Sequence, residues 1–124
     1  MALLSALRGF TAKNGRIIMI YGLETEDVER IVAVIASFPD VEKAILYGSR
    51  AKGNYREGSD IDICLVGVRL NLSVMNAISQ SIYDLGLPYL FDIAIYHQIS
   101  NPDLLEHINR AGIILFDRIP MASN

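Results

Sequence analysis

Cysteine is almost absent from this chain of 124 residues: Cys64 stands alone. A single thiol excludes an internal disulfide and a zinc site built on cysteines. Apolar residues surround it, so it reads as a small buried hydrophobe. Cations are scarce as well. Eleven Lys and Arg against fourteen Asp and Glu give a net charge of −3 and a pI of about 5.2. Binding along a nucleic-acid backbone needs clustered cations, so a broad nucleic-acid surface is excluded and any such contact is local. No apolar run approaches the roughly 18 residues of a membrane span. The basic residue nearest the N-terminus, Arg8, follows the apolar Met1 to Leu7. A secretory signal has the opposite order, so a cytoplasmic protein is expected. Internal repeats, linkers and low-complexity segments are missing too.

What is present belongs to a globular domain. Apolar residues make up 52% of the chain and charged residues 20%, which excludes disorder and coiled coils. The length fits one domain with a modest core. Mean hydropathy of +0.32 is above ordinary and points to an interface, with a partner or in a homo-oligomer.

Along the chain, Gly9, Gly15 and Gly22 punctuate a mixed first segment. It holds a short candidate strand, Ile17 to Tyr21, and Met19 is a candidate internal start. Thr25 reads as a helix N-cap, with Glu26 and Asp27 suiting the first turn. Val28, Ile31, Val32 and Ile35 form one apolar stripe of that helix, which Pro39 ends. A strand over Val41 to Tyr47 stops at Gly48. Ser49 to Asn54 reads as one helical turn ended by Gly53. Asp60 to Val66 reads as a second strand. Leu72, Met75, Ile78 and Ile82 then space as a helix with Asn71 or Ser73 as cap, closed by Gly86 and Pro88. Tyr89 to Tyr96 is a third strand. Asn101-Pro102 opens a last helix, and Ile113 to Phe116 forms a last strand. The fold class is α/β (α+β), in the order α-β-β-α-β-α-β. Residues 25–117 form the domain, with 1–24 as an N-terminal extension and 118–124 as a C-terminal tail.

Three carboxylates sit where charge is out of place. Asp60 and Asp62 are two apart at the head of one apolar strand, so they project from one face while Ile61 and Ile63 face the core. Asp92 stands inside the apolar run Tyr89 to Tyr96. If that strand pairs beside the Asp60–Asp62 strand, all three acids meet on a matched face. Close carboxylates repel, and neither strand holds a Lys or Arg to offset them. A hard cation with oxygen ligands does so, which makes Asp60, Asp62 and Asp92 candidate ligands for Mg²⁺, two ions in a two-metal arrangement.

The glycine-serine turn Gly48-Ser49 lies one strand earlier. Glycine admits close backbone approach, and free N–H groups at a helix start, with the Ser49 hydroxyl, bind phosphate. Arg50 and Lys52 are candidates for neutralising phosphate charge, or are surface cations. Ser59 caps its own turn. His97, just after the third strand, either touches a ligand or lies in a surface loop. His107 is structural or exposed. Tyr47, Tyr89 and Tyr96 are strand aromatics that read as packing, with base-stacking the alternative.

Gly48-Ser49, ten intervening residues and Asp60-Ile61-Asp62 together resemble the nucleotidyltransferases of the DNA polymerase β superfamily. Gly48-Ser49-Arg50-Ala51-Lys52-Gly53 and Ser59-Asp60-Ile61-Asp62 are similar to the minimal nucleotidyltransferases (MNT). Those single-domain proteins form the antitoxin half of HEPN/MNT toxin–antitoxin pairs. The resemblance covers about residues 25–117 and implies a mixed sheet flanked by helices. It implies metal at Asp60, Asp62 and Asp92, triphosphate contact at Gly48-Ser49, and transfer of AMP from ATP to a hydroxyl. The acceptor it implies is a tyrosine of a partner HEPN toxin. Two rival readings are a small-molecule adenylyltransferase of the aminoglycoside type and a non-catalytic antitoxin that blocks its partner by binding. The first usually carries a further helical domain, for which this length leaves no room.

Overall fold

Apolar residues recur at helical spacing from Val28 to Ile35 and at every second position from Ile61 to Leu65, and the chain takes the structures those periods dictate. A computed structural model describes residues 19–119. A small hairpin comes first, β1 (Met19–Ile20) and β2 (Leu23–Glu24), turning through Tyr21 and Gly22. Next come α1 (Thr25–Ala36), β3 (Lys43–Tyr47), the short α2 (Ser49–Lys52) and β4 (Ile61–Val66). α3 (Leu72–Tyr83), β5 (Phe91–Ile95), a 3₁₀ turn (Tyr96–Gln98), α4 (Pro102–Ala111) and β6 (Ile113–Asp117) complete it. The main elements follow the order expected from the sequence, α2 is the helical turn expected after Gly48, and the hairpin and the 3₁₀ turn are added to it.

The four-stranded sheet has the order β5-β4-β3-β6. β3 is antiparallel to β4 and β6, whereas β4 and β5 are parallel. A parallel pair needs a crossover, and α3 supplies it. One face of the sheet carries the main core: Ala44 and Leu46 of β3 and Ile61, Ile63 and Leu65 of β4. Val28, Ile31, Val32 and Ile35 of α1 and Ile78 and Ile82 of α3 cover them. On the other face Tyr47 and Cys64 pack with Ile108 of α4. Cys64 is fully buried, and burial pushes its thiol up to about 11, so it stays protonated.

Several boundaries differ from the sequence reading. Thr25 is not a cap: the chain is already helical there, Thr25 is buried, and Glu24 holds the cap position without a side-chain bond. Asn71 caps α3, its side chain accepting from the Val74 N–H at 2.9 Å. Asn101 caps α4 by accepting from the N–H groups of Asp103 and Leu104, with Pro102 in the first turn. Residues 19–24, set apart from the domain by the sequence reading, send Leu23 into the core. Arg118, assigned to the tail, donates its N–H to the Glu42 carbonyl and its Nε to the Val41 carbonyl. The earlier part of the first segment, including Ile17 and Ile18, lies outside the described residues, as do residues 120–124. No helix among the described residues is long and apolar enough to cross a membrane.

Candidate active site

Three neighbouring strands lay their side chains at one level. Tyr47 of β3 is in register with Asp62 of β4, and Asp62 with Asp92 of β5. Registered partners share a face of the sheet, so Tyr47, Asp62 and Asp92 form a row on the face that α4 partly covers. Asp60 precedes β4 and is exposed, as is Asp92 on the outer strand; Asp62 between them is half-buried. The face matching expected from the sequence is thus realised for Asp62 and Asp92, while Asp60 stands at the strand's entrance.

The electrostatics follow from this placement. Burial raises the Asp62 carboxyl above its ordinary value, the Asp92 and Asp60 carboxylates raise it further, and the Arg50 guanidinium opposes them. Burial, then Asp92 and Asp62, push the Tyr47 hydroxyl up to about 12. Tyr47 therefore remains a protonated floor to the site. The acids adjoin without converging: among the described residues, no three His, Cys, Asp or Glu side chains meet as a ready metal cage. The donor set fits a hard divalent cation, since it is all carboxylate and burial, then the neighbouring acids, hold its middle member above its ordinary pKa.

Gly48 is the hinge between β3 and α2. Its φ is +77°, a left-handed value that glycine adopts freely, and an added Cβ would collide with Asp62 Oδ2. The turn and the central carboxylate are thus packed against each other. From behind, the Gly48 N–H donates to Nε2 of His107 on α4 at 2.9 Å. An accepting Nε2 leaves the ring proton on Nδ1, which is buried and has no hydrogen-bond partner. The Gly48 N–H is therefore committed to His107, and the unbonded donors at the helix start are the first-turn N–H groups of α2 and the Ser49 hydroxyl. Lys52 is exposed at the end of α2.

Arg50 stands apart from the placement the sequence suggests. It is only 4% exposed. Its Nε and Nη2 donate to the Ser59 carbonyl at 3.3 and 2.8 Å, and Nη1 to the Tyr21 carbonyl at 3.0 Å. The guanidinium lies 5.4 Å from the Tyr55 ring and 5.9 Å from the Tyr89 ring. Ser59 accepts from the Arg56 N–H through its hydroxyl, the local turn expected of it. His97 pairs through Nε2 with the Leu70 carbonyl. His107 had no signal in the sequence, since 59 residues separate it from Gly48.

Two open grooves lie outside the carboxylate row, and neither is lined by Asp60, Asp62 or Asp92. One, of about 700 Å³, runs between the hairpin and the loop before β4, lined by Arg50, Tyr55, Ser59 and Tyr89 among others. The other, of about 660 Å³, is largely apolar and lies between α3 and β5, with Tyr83 and Leu90 on its rim.

Comparison with known proteins agrees with this architecture. The family model described as Polymerase beta, Nucleotidyltransferase matches residues 29–120. A Methanocaldococcus jannaschii protein that carries the name of a protein adenylyltransferase is 35% identical over 80 residues, 64% of this chain. The chain spans 60% of that relative's length. Among solved structures, a chain of a toxin–antitoxin complex with AMP-PNP has a similar fold. Its TM-score is 0.64 at 19% identity, over 77% of this chain and 76% of that one. A second is the tri-AMPylated Shewanella oneidensis HEPN toxin in complex with MNT antitoxin. Its TM-score is 0.57 at 18% identity, covering 74% of this chain and 71% of that one.

Proposed function

The chain belongs to the polymerase beta nucleotidyltransferase family, and from that premise we propose that it moves AMP from ATP to a hydroxyl group, on a tyrosine of a partner HEPN-domain toxin, and so acts as the antitoxin. The observation that carries the reading is the register of β4 and β5: it sets Asp62 beside Asp92, against the turn at Gly48. The AMP-PNP and the AMP-modified HEPN toxin in two complexes of similar fold support the choice of nucleotide and partner.

In this reading Asp60, Asp62 and Asp92 hold divalent metal, two magnesium ions by the resemblance to the family. When bound, such ions neutralise triphosphate charge and lower the pKa of the acceptor hydroxyl. The rest falls to this chain's own groups. Ser49 and the first-turn N–H groups of α2 donate to phosphate oxygens, and Lys52 offsets their charge. Asp92, on the outer strand and open to an incoming chain, accepts the proton of the acceptor hydroxyl. The acceptor oxygen bonds to the α-phosphorus, the bond from that phosphorus to the bridging oxygen breaks, and pyrophosphate leaves. Most of the acceleration comes from positioning and charge neutralisation.

The test is intact mass of the HEPN partner after incubation with this protein, ATP and Mg²⁺. A gain of one or more AMP units is expected, and it should vanish with the double variant Asp60→Asn, Asp62→Asn. An unmodified toxin that is still inhibited would replace this reading with blocking by contact. Transfer by the double variant would show the carboxylates to be misassigned.

A further inference from the structure

We propose that Arg50 is a positioning residue that ties the loop ahead of Asp60 to the N-terminal hairpin, and so sets where Asp60 stands among the carboxylates. The proposal rests on the reading of Asp60, Asp62 and Asp92 as a metal site. Residues 53–60 contain no helix or strand, and within them Ser59 bonds to Arg56 through its hydroxyl and its N–H. What fastens this turn to the body just before Asp60 is the Ser59 carbonyl, which takes two of the guanidinium's donors. The third bond reaches the Tyr21 carbonyl in the hairpin, 29 residues away. A buried guanidinium must have its donors used. Here they go to two backbone carbonyls, with the Tyr55 and Tyr89 rings beside the charge.

The hairpin is shaped for this contact. Gly22 has φ +74°, and a Cβ there would collide with the Tyr55 ring and crowd Arg50 Nη1. Arginine is specific to the task, because a planar fork bridges two acceptors whereas a lysine ammonium is a point charge on a flexible stem. A role as a free phosphate ligand fits poorly, since reaching a phosphate at the turn would break all three bonds.

The experiment uses the full chain. Mn²⁺ affinity is measured by paramagnetic resonance titration for the wild type, Arg50→Lys and Gly22→Ala, with melting curves to establish folding. Loss of a partner that orients a ligand weakens metal binding about tenfold or more. That loss is expected for Arg50→Lys, with kcat reduced and KM for ATP nearly unchanged. Gly22→Ala, remote from the carboxylates, should weaken Mn²⁺ in the same direction, and it carries the test should Arg50→Lys fail to fold. Wild-type Mn²⁺ affinity in a folded variant, or a rise in KM alone, overturns the proposal. So does a wild type that binds no Mn²⁺. A wild type that binds Mn²⁺ but transfers no AMP overturns the proposed function and leaves the Arg50 effect on Mn²⁺ as the separate outcome.

Discussion

Asp62 is an acid in a place that disfavours its charge. It is half-buried, with Asp92 in register on one side and Asp60 two residues before it. Its folded pKa is raised, by burial first and by those two acids next. Between the ordinary carboxylate value and the raised one, the native state holds more protons than the unfolded chain. Stability therefore falls as pH rises through that window, and the cost is fully present above it. Asp62→Asn removes the charge at nearly constant shape. The metal-free variant should melt a few degrees above the wild type at neutral pH, and its stability should depend less on pH just above the ordinary carboxylate range. Melting curves across that range check both. A variant that melts below the wild type would mean that the Asp62 carboxylate is stabilised by partners other than those named. Sites that lose stability to hold function commonly behave in this way.

At the scale of elements, the site depends on α4 as much as on the strands. His107 reaches from α4 to accept the Gly48 N–H, and Tyr47 meets the same ring edge-on at 6.3 Å. Truncation leaves the Gly48 donor without its acceptor, which costs on the order of 1–3 kcal/mol for a buried group. His107→Ala should lower the urea midpoint without changing the slope, and should slow AMP transfer by loosening the turn. His107→Gln supplies a carbonyl acceptor and should recover part of both; no recovery would mean that the ring's packing matters and its nitrogen does not. None of this could be read along the chain. The helix and strand periods could, because a buried stripe repeats every 3.6 or 2 residues, and so could Asn71, Asn101 and the matched alternation that joins Asp62 to Asp92. A hairpin of two-residue strands has no period to read. Thr25 misled as a cap because β2 runs straight into α1. Arg50 is not the surface cation the sequence allowed, because a long side chain's destination depends on carbonyls distant in sequence, at Tyr21 and Ser59.

For the molecule as a whole, the proposed site joins side chains from separate segments. Asp60 comes from just before β4 and Asp62 from its start, Asp92 from β5, and the phosphate donors from the turn after β3. A ligand bridging them should bind the folded state and have little to hold in the unfolded chain, where these residues are scattered. Such a ligand stabilises by about 2.7 kcal/mol at a hundredfold excess over its Kd. For a domain of this size that raises Tm by on the order of 10 °C. Mg²⁺ with a non-hydrolysable ATP analogue should give the full shift, and the analogue in excess EDTA should give little, because the carboxylates then repel the triphosphate. The Asp60→Asn, Asp62→Asn double variant should show no difference between the two conditions, since it has lost the acids that make metal necessary. An equal shift with and without Mg²⁺ in the wild type would mean that the nucleotide binds elsewhere, most simply in the groove between the hairpin and the loop before β4. In that case the three carboxylates would lose their claim to the triphosphate.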